Sequence, residues 1–410
     1  MIKKINKCRN CKKNKLENLF NLGNLSYSGK FPQDIRVNVP KVRIALVKCK
    51  YCHLVQLDRN FNPKYLYGED YGYRSGINKT MSNHLKNTAL FLSKKANIRK
   101  GDYALDIASN DGTLLNSYNN GVIKVGVDPL IYKFKDFYKK INFSINSFFS
   151  YKEIEKSRIK SKFKIITALS VFYDLKDPNK FMSDISKIID KTKGIFLLEH
   201  TDLYSILKNN LFDTICHEHL EYYSTEVIID MALRNNLRVF SVSENDINGG
   251  SKRFLICHKN ADYQINTKLL NKYINLENKL GIKKKGCYKL FFNKIIRLRN
   301  NLNKVISNLK RANKTIHGYG ASTKGNILLQ FYNLNKKQIP LIADRNSKKN
   351  NCYTPGTKIK IISEEISRSL KPDYYLVLPW HFKKEILLRE RKIIKSGTRF
   401  IFPLPKITIH

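Results

Sequence analysis

Two C-x-x-C pairs, Cys8/Cys11 and Cys49/Cys52, stand near the start of the chain. Each two-residue spacer lets a tight turn aim two thiols at one point, and four such thiols satisfy the tetrahedral preference of a zinc ion. A module this small buries too little apolar surface to hold itself together, so the metal supplies folding energy. Sulfur fills all four positions, which points to a structural ion rather than one with an open catalytic position. The other thiols, Cys216, Cys257, Cys287 and Cys352, are scattered, so the eight cysteines do not read as a disulfide framework.

Beyond this module the 410 residues are too many for one ordinary core. Short apolar runs alternate with helical stretches: YALDIA, VIKVGVD, FKIITAL, GIFLLEH, LRVFSVS and RFLICHK. That alternation predicts a parallel, doubly wound sheet. The turn ENDINGGSK joins the last two runs, which predicts an antiparallel hairpin at the sheet edge. Leu, Ile and Tyr recur at three and four residues in KLLNKYINLENKL and KIIRLRNNLNKVI, marking amphipathic helices that link or bridge. The alternation resumes with TIHGYG, PLIAD, PDYYLVL and TRFIFPL, a second α/β unit. The expected organisation of this α/β chain is a zinc-binding domain over 1–65 and a doubly wound domain over 66–260. A helical connector over 261–312 and a second Rossmann-like domain over 313–410 complete it.

The formal net charge is +43. Such a charge would favour polyphosphate, as in an RNA-binding protein, but Lys is dispersed along the whole chain among Asn and Ile. Dispersal speaks against one nucleic-acid face and leaves a small anionic substrate as the expectation. No apolar run approaches membrane length, and the basic MIKKINKCRN is not followed by an apolar stretch. A cytoplasmic protein is expected, with no membrane and no specific nucleic acid among its partners.

Chemistry concentrates in four places. In ALDIASNDGTLL a strand ends at Asp106, and Ala108, Ser109, Asn110, Asp111 and Gly112 form the following loop. Such a loop sets backbone N–H groups beside a ligand, and VIKVGVDPL ends roughly 20 residues on in Asp128, a carboxylate suited to ribose hydroxyls. The loop is not G-x-G-x-x-G, so adenosine without a cradled phosphate is expected, with Ser170 passing nearby; the alternative is an ordinary strand-to-helix turn. In FDTICHEHLEYYS, His217 and His219 flank Glu218, and a spacing of two puts both imidazoles on one side of an extended segment. They suit proton transfer at neutral pH, against a second metal site or a structural loop. Asn248, Gly249, Gly250 and Ser251 in DINGGSKR, and Lys324 in GYGASTKGN, offer tight turns and an anion contact. Tyr71, Tyr73 and Arg74, in an aromatic run after the zinc module, could cover a pocket or pack a hinge.

Together these segments resemble the zinc-containing sugar C-methyltransferases of deoxysugar pathways, which methylate carbon 3 of 4-keto nucleotide sugars. The likeness runs in order through CRNC and CKYC, LDIASNDGTLL, FDTICHEHLEYYS, NGGSKR, GYGASTKGN, PGTKIKI, DYYLVLPWHFKKEI and FIFPLP. It implies a class I (Rossmann-like) S-adenosylmethionine-dependent methyltransferase domain between the zinc module and a C-terminal substrate-binding domain, with the nucleotide sugar between domains. It makes the four paired cysteines zinc ligands, the Asp106–Gly112 loop the methionine end of the cofactor site, and the HEH run the proton-transfer centre. Two positions depart from the family: Ala108 replaces a loop glycine, and Cys216 stands where the family has a catalytic tyrosine. Without that phenol the enolate needs another partner, or the reaction is a sugar O-methylation. An RNA methyltransferase and a non-enzymatic zinc adaptor are the remaining alternatives.

Overall fold

The computed structural model describes residues 3–61, 66 and 74–410. Tyr71 and Tyr73 therefore lie outside the described residues. Near the N-terminus, β1 (Leu16–Ser26), β2 (Lys41–Cys49) and β3 (Val55–Leu57) form an antiparallel meander in which Leu16 faces Cys49 and Val47 faces Gln56. The two cysteine pairs sit on matching turns, where Cys8 N donates to Lys13 O and Cys49 N to Leu54 O.

The central domain opens with α1 (Lys79–Lys95), capped by the Asn78 side chain and burying Met81, Leu85, Ala89 and Leu92 at helical spacing. Then come β4 (Tyr103–Ile107), β5 (Ile123–Val127), β6 (Phe143–Ile145), α2 (Tyr151–Lys156), β7 (Phe163–Leu169), α3 (Pro178–Ile188) and β8 (Ile195–His200). The chain continues through α4 (Leu203–Lys208), β9 (Glu221–Tyr222), α5 (Thr225–Arg234), β10 (Leu237–Asn245) and β11 (Ser251–His258). Seven of these strands make one sheet in the order β10-β11-β8-β7-β4-β5-β6, parallel except at β11. The predicted edge hairpin forms, with β11 inserted beside β8 and β10 outermost. Strand order reverses between β4 and β7, so a crevice opens at their carboxyl ends, where ligands bind in such sheets. β6 escaped the sequence reading because it is three residues long and mostly exposed.

Strand β9 does not join that sheet. It pairs antiparallel with β3, Glu221 opposite Gln56, and so extends the zinc module's meander to four strands.

The expected connector is two helices, α6 (Thr267–Leu280) and α7 (Lys285–Arg311), separated by the left-handed Gly281. α6 buries Leu270, Tyr273 and Glu277; Lys252 on β11 meets Glu277 at 2.5 Å and Asp202 at 3.0 Å. α7 packs Phe291 and Phe292 on Phe20 of β1. The C-terminal unit runs β12 (Ile316–Tyr319), α8 (Thr323–Phe331), β13 (Leu341–Asp344), β14 (Lys360–Ser363), α9 (Glu364–Ser369), β15 (Tyr374–Val377), α10 (Lys383–Arg389), β16 (Arg399–Phe402) and β17 (Thr408–Ile409). Its sheet order is β14-β13-β12-β15-β16-β17, parallel except for β17, with a second reversal between β12 and β15.

Among the described residues, the zinc module's apolar side chains join the cores of the other domains. Leu25, Tyr27 and Ile44 share one apolar cluster with Phe212 and Ile215 before the HEH run and with Tyr319 and Ile342 of the C-terminal sheet. Cys8, Cys49 and Leu54 belong to another cluster, with Phe172 and Tyr223 of the central domain. The fold is thus α/β, two Rossmann-like sheets joined through an antiparallel zinc-module meander and a helical connector.

Candidate active site

The four paired thiols converge as their spacing requires. The Sγ atoms lie within 4.8 Å of one another, with Cys8–Cys52 at 3.5 Å and Cys11–Cys49 at 3.4 Å. At a zinc–sulfur length of about 2.3 Å a tetrahedron has edges near these values. Lys12 and His53 take left-handed φ angles of 61° and 60°, closing the two turns around the ion's position. Gln56 Nε2 donates to Cys8 Sγ at 3.3 Å, the hydrogen bond that a metal thiolate wants from its surroundings. The donor set therefore fits a structural zinc.

At the end of β4, Asp106 is buried and accepts from the Thr167 hydroxyl at 2.6 Å. Burial drives its carboxyl up to about 7, with Asp128 and Asp111 adding to the shift. The loop beyond turns sharply, with φ of 58° at Ala108, 50° at Asn110 and 70° at Gly112. Left-handed non-glycine residues persist only when their surroundings hold them. Here Asp128 Oδ2 accepts Asn110 N at 3.0 Å, and Tyr138 donates to Asn110 O at 2.9 Å. The other Asp128 oxygen accepts Leu130 N at 2.7 Å. Asn110 and Asp111 turn toward the approach to α1, where Asn110 Oδ1 accepts Ser75 N and Asp111 Oδ2 accepts Gly76 N, each at 2.9 Å. Arg74 reaches Asp111 at 3.3 Å. The C-terminal sheet repeats the device: Asp344, ending β13, accepts Ala321 N at 2.6 Å and Asn346 N at 2.7 Å.

The carboxyl end of β7, through Ser170, and the carboxyl edge of the C-terminal sheet face one cleft of about 360 Å³, which the Asp106–Gly112 loop and Asp128 do not line. Arg74, Ser170, Cys216, Glu218, His219, Asn248 and Lys324 line it from the sequence-predicted set. Tyr173, Asp174, Lys349 and Arg389 line it too and were missed, since nothing local marks them. The HEH run divides. His219 lies against Tyr173, ring centroids 4.0 Å apart, and its Nδ1 stands 2.7 Å from Thr214 O. A carbonyl only accepts, so Nδ1 carries the proton and Nε2 keeps its lone pair. Burial, with Lys324 nearby, pushes His219 down to about 3. His217 points elsewhere: its ring packs on Tyr27 at 4.8 Å and Phe61 at 5.1 Å, against the zinc module. The expectation that both imidazoles share one side fails because this stretch is a turn, preceding β9, and not a strand. Glu218, between them, has no hydrogen-bond partner among the described residues, and burial lifts its carboxyl to about 7. Cys216 is buried beside it.

The DINGGSKR turn also divides. Asn248 (φ 57°) reaches Ser170 Oγ at 3.3 Å and the cleft. Gly249 (φ 91°) instead allows close approach of the Trp380 ring, which a Cβ would strike, and Gly250 abuts Ser205. Ser251 Oγ donates to Ile247 O at 2.9 Å, so these three shape the turn and do not line the cleft. Lys324, half-buried at the start of α8, is 3.4 Å from Asn248 O, and burial lowers its pKa. No helix is long and apolar enough to cross a membrane among the described residues.

Residues 8–67 match the family described as "Putative zinc binding domain", and residues 246–405 match "C-methyltransferase C-terminal domain". Among curated proteins, C-methyltransferase NovU from Streptomyces niveus is 28% identical over 363 residues, spanning 88% of this chain and 86% of NovU. Among solved structures, an S-adenosylmethionine-dependent methyltransferase from Clostridium acetobutylicum aligns at 14% identity over 43% of this chain and 92% of that one, TM-score 0.35. Magnesium protoporphyrin IX methyltransferase from Synechocystis aligns at 12% identity over 45% of this chain and 89% of that one, TM-score 0.33.

Proposed function

We propose that this chain, an S-adenosylmethionine-dependent methyltransferase with the zinc-binding and C-terminal domains of C-methyltransferases, methylates a carbon beside the 4-keto group of a nucleotide-linked sugar. The observation that carries the reading is Glu218, unpartnered among the described residues on the wall of the cleft between β7's carboxyl end and the C-terminal sheet. A general base works best with a pKa near the working pH. Glu218, at about 7, meets that condition, whereas His219, at about 3, stays neutral. The proton acceptor thus moves from the imidazoles, where ordinary pKa values pointed, to the carboxylate between them. His219 Nε2 keeps a lone pair on the same cleft, able to take a hydrogen bond from a sugar hydroxyl. Lys324 is a cation on the same cleft wall that can face the developing enolate, since Cys216 supplies no phenol.

When bound, the cofactor supplies an electrophilic methyl group on a sulfonium. Asp106 fits its methionine end, because an ammonium group beside it would offset the desolvation that raises this carboxyl. Asp128 is the ribose partner in this reading, with one lone pair left on each oxygen after holding the loop. The DINGGSKR residues Gly249, Gly250 and Ser251 act on the substrate only by placing Asn248.

Incubation with labelled S-adenosylmethionine and a panel of 4-keto and 4-hydroxy nucleotide sugars, followed by mass spectrometry, tests this. Label on carbon of a 4-keto sugar is the expected product. Label on oxygen of a 4-hydroxy sugar would favour O-methylation, which Cys216 in place of a phenol leaves as the second reading. Label on structured RNA alone would overturn both.

A further inference from the structure

We propose that Cys216, Glu218 and His219 form a second metal site, open to the cleft and suited to zinc-class ions. One ligand atom from each of the three lies within 4.8 Å of the others, in a group distinct from the paired-cysteine site. A thiolate, a carboxylate and an imidazole are a zinc donor set, and three protein ligands leave a position for solvent or a ligand oxygen. The imidazole is already oriented for binding, because Nδ1 donates to Thr214 O at 2.7 Å, which fixes the ring and leaves Nε2 free to ligate. Metal-bound histidines are held this way by a partner on the other nitrogen. Glu218 has no competing hydrogen bond among the described residues, so binding an ion breaks none there. The soft sulfur and imidazole select zinc or cobalt over magnesium or calcium. The cleft provides the entry path, and Asp174 on its wall adds negative charge while Lys324 opposes it.

The consequence rests on the proposed function. Glu218 and His219 cannot present their lone pairs to an ion and to a substrate proton together, so occupancy of this site excludes methyl transfer. Zinc is therefore an inhibitor of the enzyme that depends on zinc for its fold.

The test uses the full chain, purified with its structural zinc and equilibrated with zinc or cobalt by dialysis. Two metal equivalents per chain are expected, falling to one in Cys216→Ala and in His219→Ala. One equivalent in the native chain, or two in Cys216→Ala, overturns the site. Should a variant misfold, cobalt titration of the native chain decides. A further equivalent that brings a sulfur-to-cobalt absorption band supports the site, and one without the band, or no further equivalent, rejects it. Zinc inhibition of methyl transfer should weaken by at least about 10–100-fold when a ligand is removed. A second metal in a chain inactive on every nucleotide sugar would keep the site and reject the functional reading. Sugar methylation by a chain that binds one metal would do the reverse.

Discussion

Arg9, between the first two zinc-site cysteines, places its Nε 3.4 Å from Oε1 of Glu221, two residues past His219, with both side chains almost fully buried. The same guanidinium donates to Leu57 O at 2.9 Å and Arg59 O at 2.8 Å. The metal module and the segment carrying the cleft residues are therefore one unit, joined by a buried ion pair and by the β3–β9 ladder.

Breaking that pair from one side strands a buried charge, which costs about 3–5 kcal/mol. Arg9→Met should lower stability to urea by that amount and reduce turnover more than cofactor affinity. Adding Glu221→Gln should recover only the part of that loss due to the stranded carboxylate, because Leu57 O and Arg59 O still lose the guanidinium's donors. Denaturation midpoints and calorimetric cofactor titrations measure both effects.

Cys49→Ser should release the structural zinc, as elemental analysis will read. Because the module shares its apolar clusters with both sheets, metal loss should lower the melting temperature of the whole chain. A chain melting unchanged without zinc would separate the module from the fold.

Turnover should rise with pH and level off above about 7, following ionisation of Glu218. The stability effect runs the other way. A carboxyl raised above its unfolded value of about 4.5 favours the fold below that pH and loses the contribution as pH rises through about 7. Glu218→Gln should therefore be more stable than the parent at pH 8 while turning over about 10²–10⁴-fold more slowly. Rate–pH profiles and melts at pH 5 and 8 check the two signs.

Asp128→Ala removes the acceptor for Asn110 N and Leu130 N. With hydrogen bonds to a charged group worth about 1.5–3 kcal/mol each, the loop should loosen and cofactor affinity should fall by at least tenfold. Calorimetry giving an unchanged affinity would place the cofactor elsewhere.

Much of this protein was legible in local pattern. Two C-x-x-C spacings encode two turns, and turns aim thiols whatever surrounds them. Runs such as YALDI and FKIITAL carry their strand character in each residue's side chain, and Asp106 and Asp128 fall at strand ends because the strands stop there. The roles within C-H-E-H were not legible. A spacing of two places side chains on one side only in a regular strand, and here the chain turns at Thr214 and is drawn into the zinc sheet from Leu220 onward. That long-range pairing sends His217 toward Tyr27 and Phe61 and leaves Glu218 and His219 on the cleft. Burial then raises the carboxylate and lowers the imidazole, inverting the order of their intrinsic basicities. Desolvation depends on what packs around a group from every direction, and residues distant in sequence supply most of that packing.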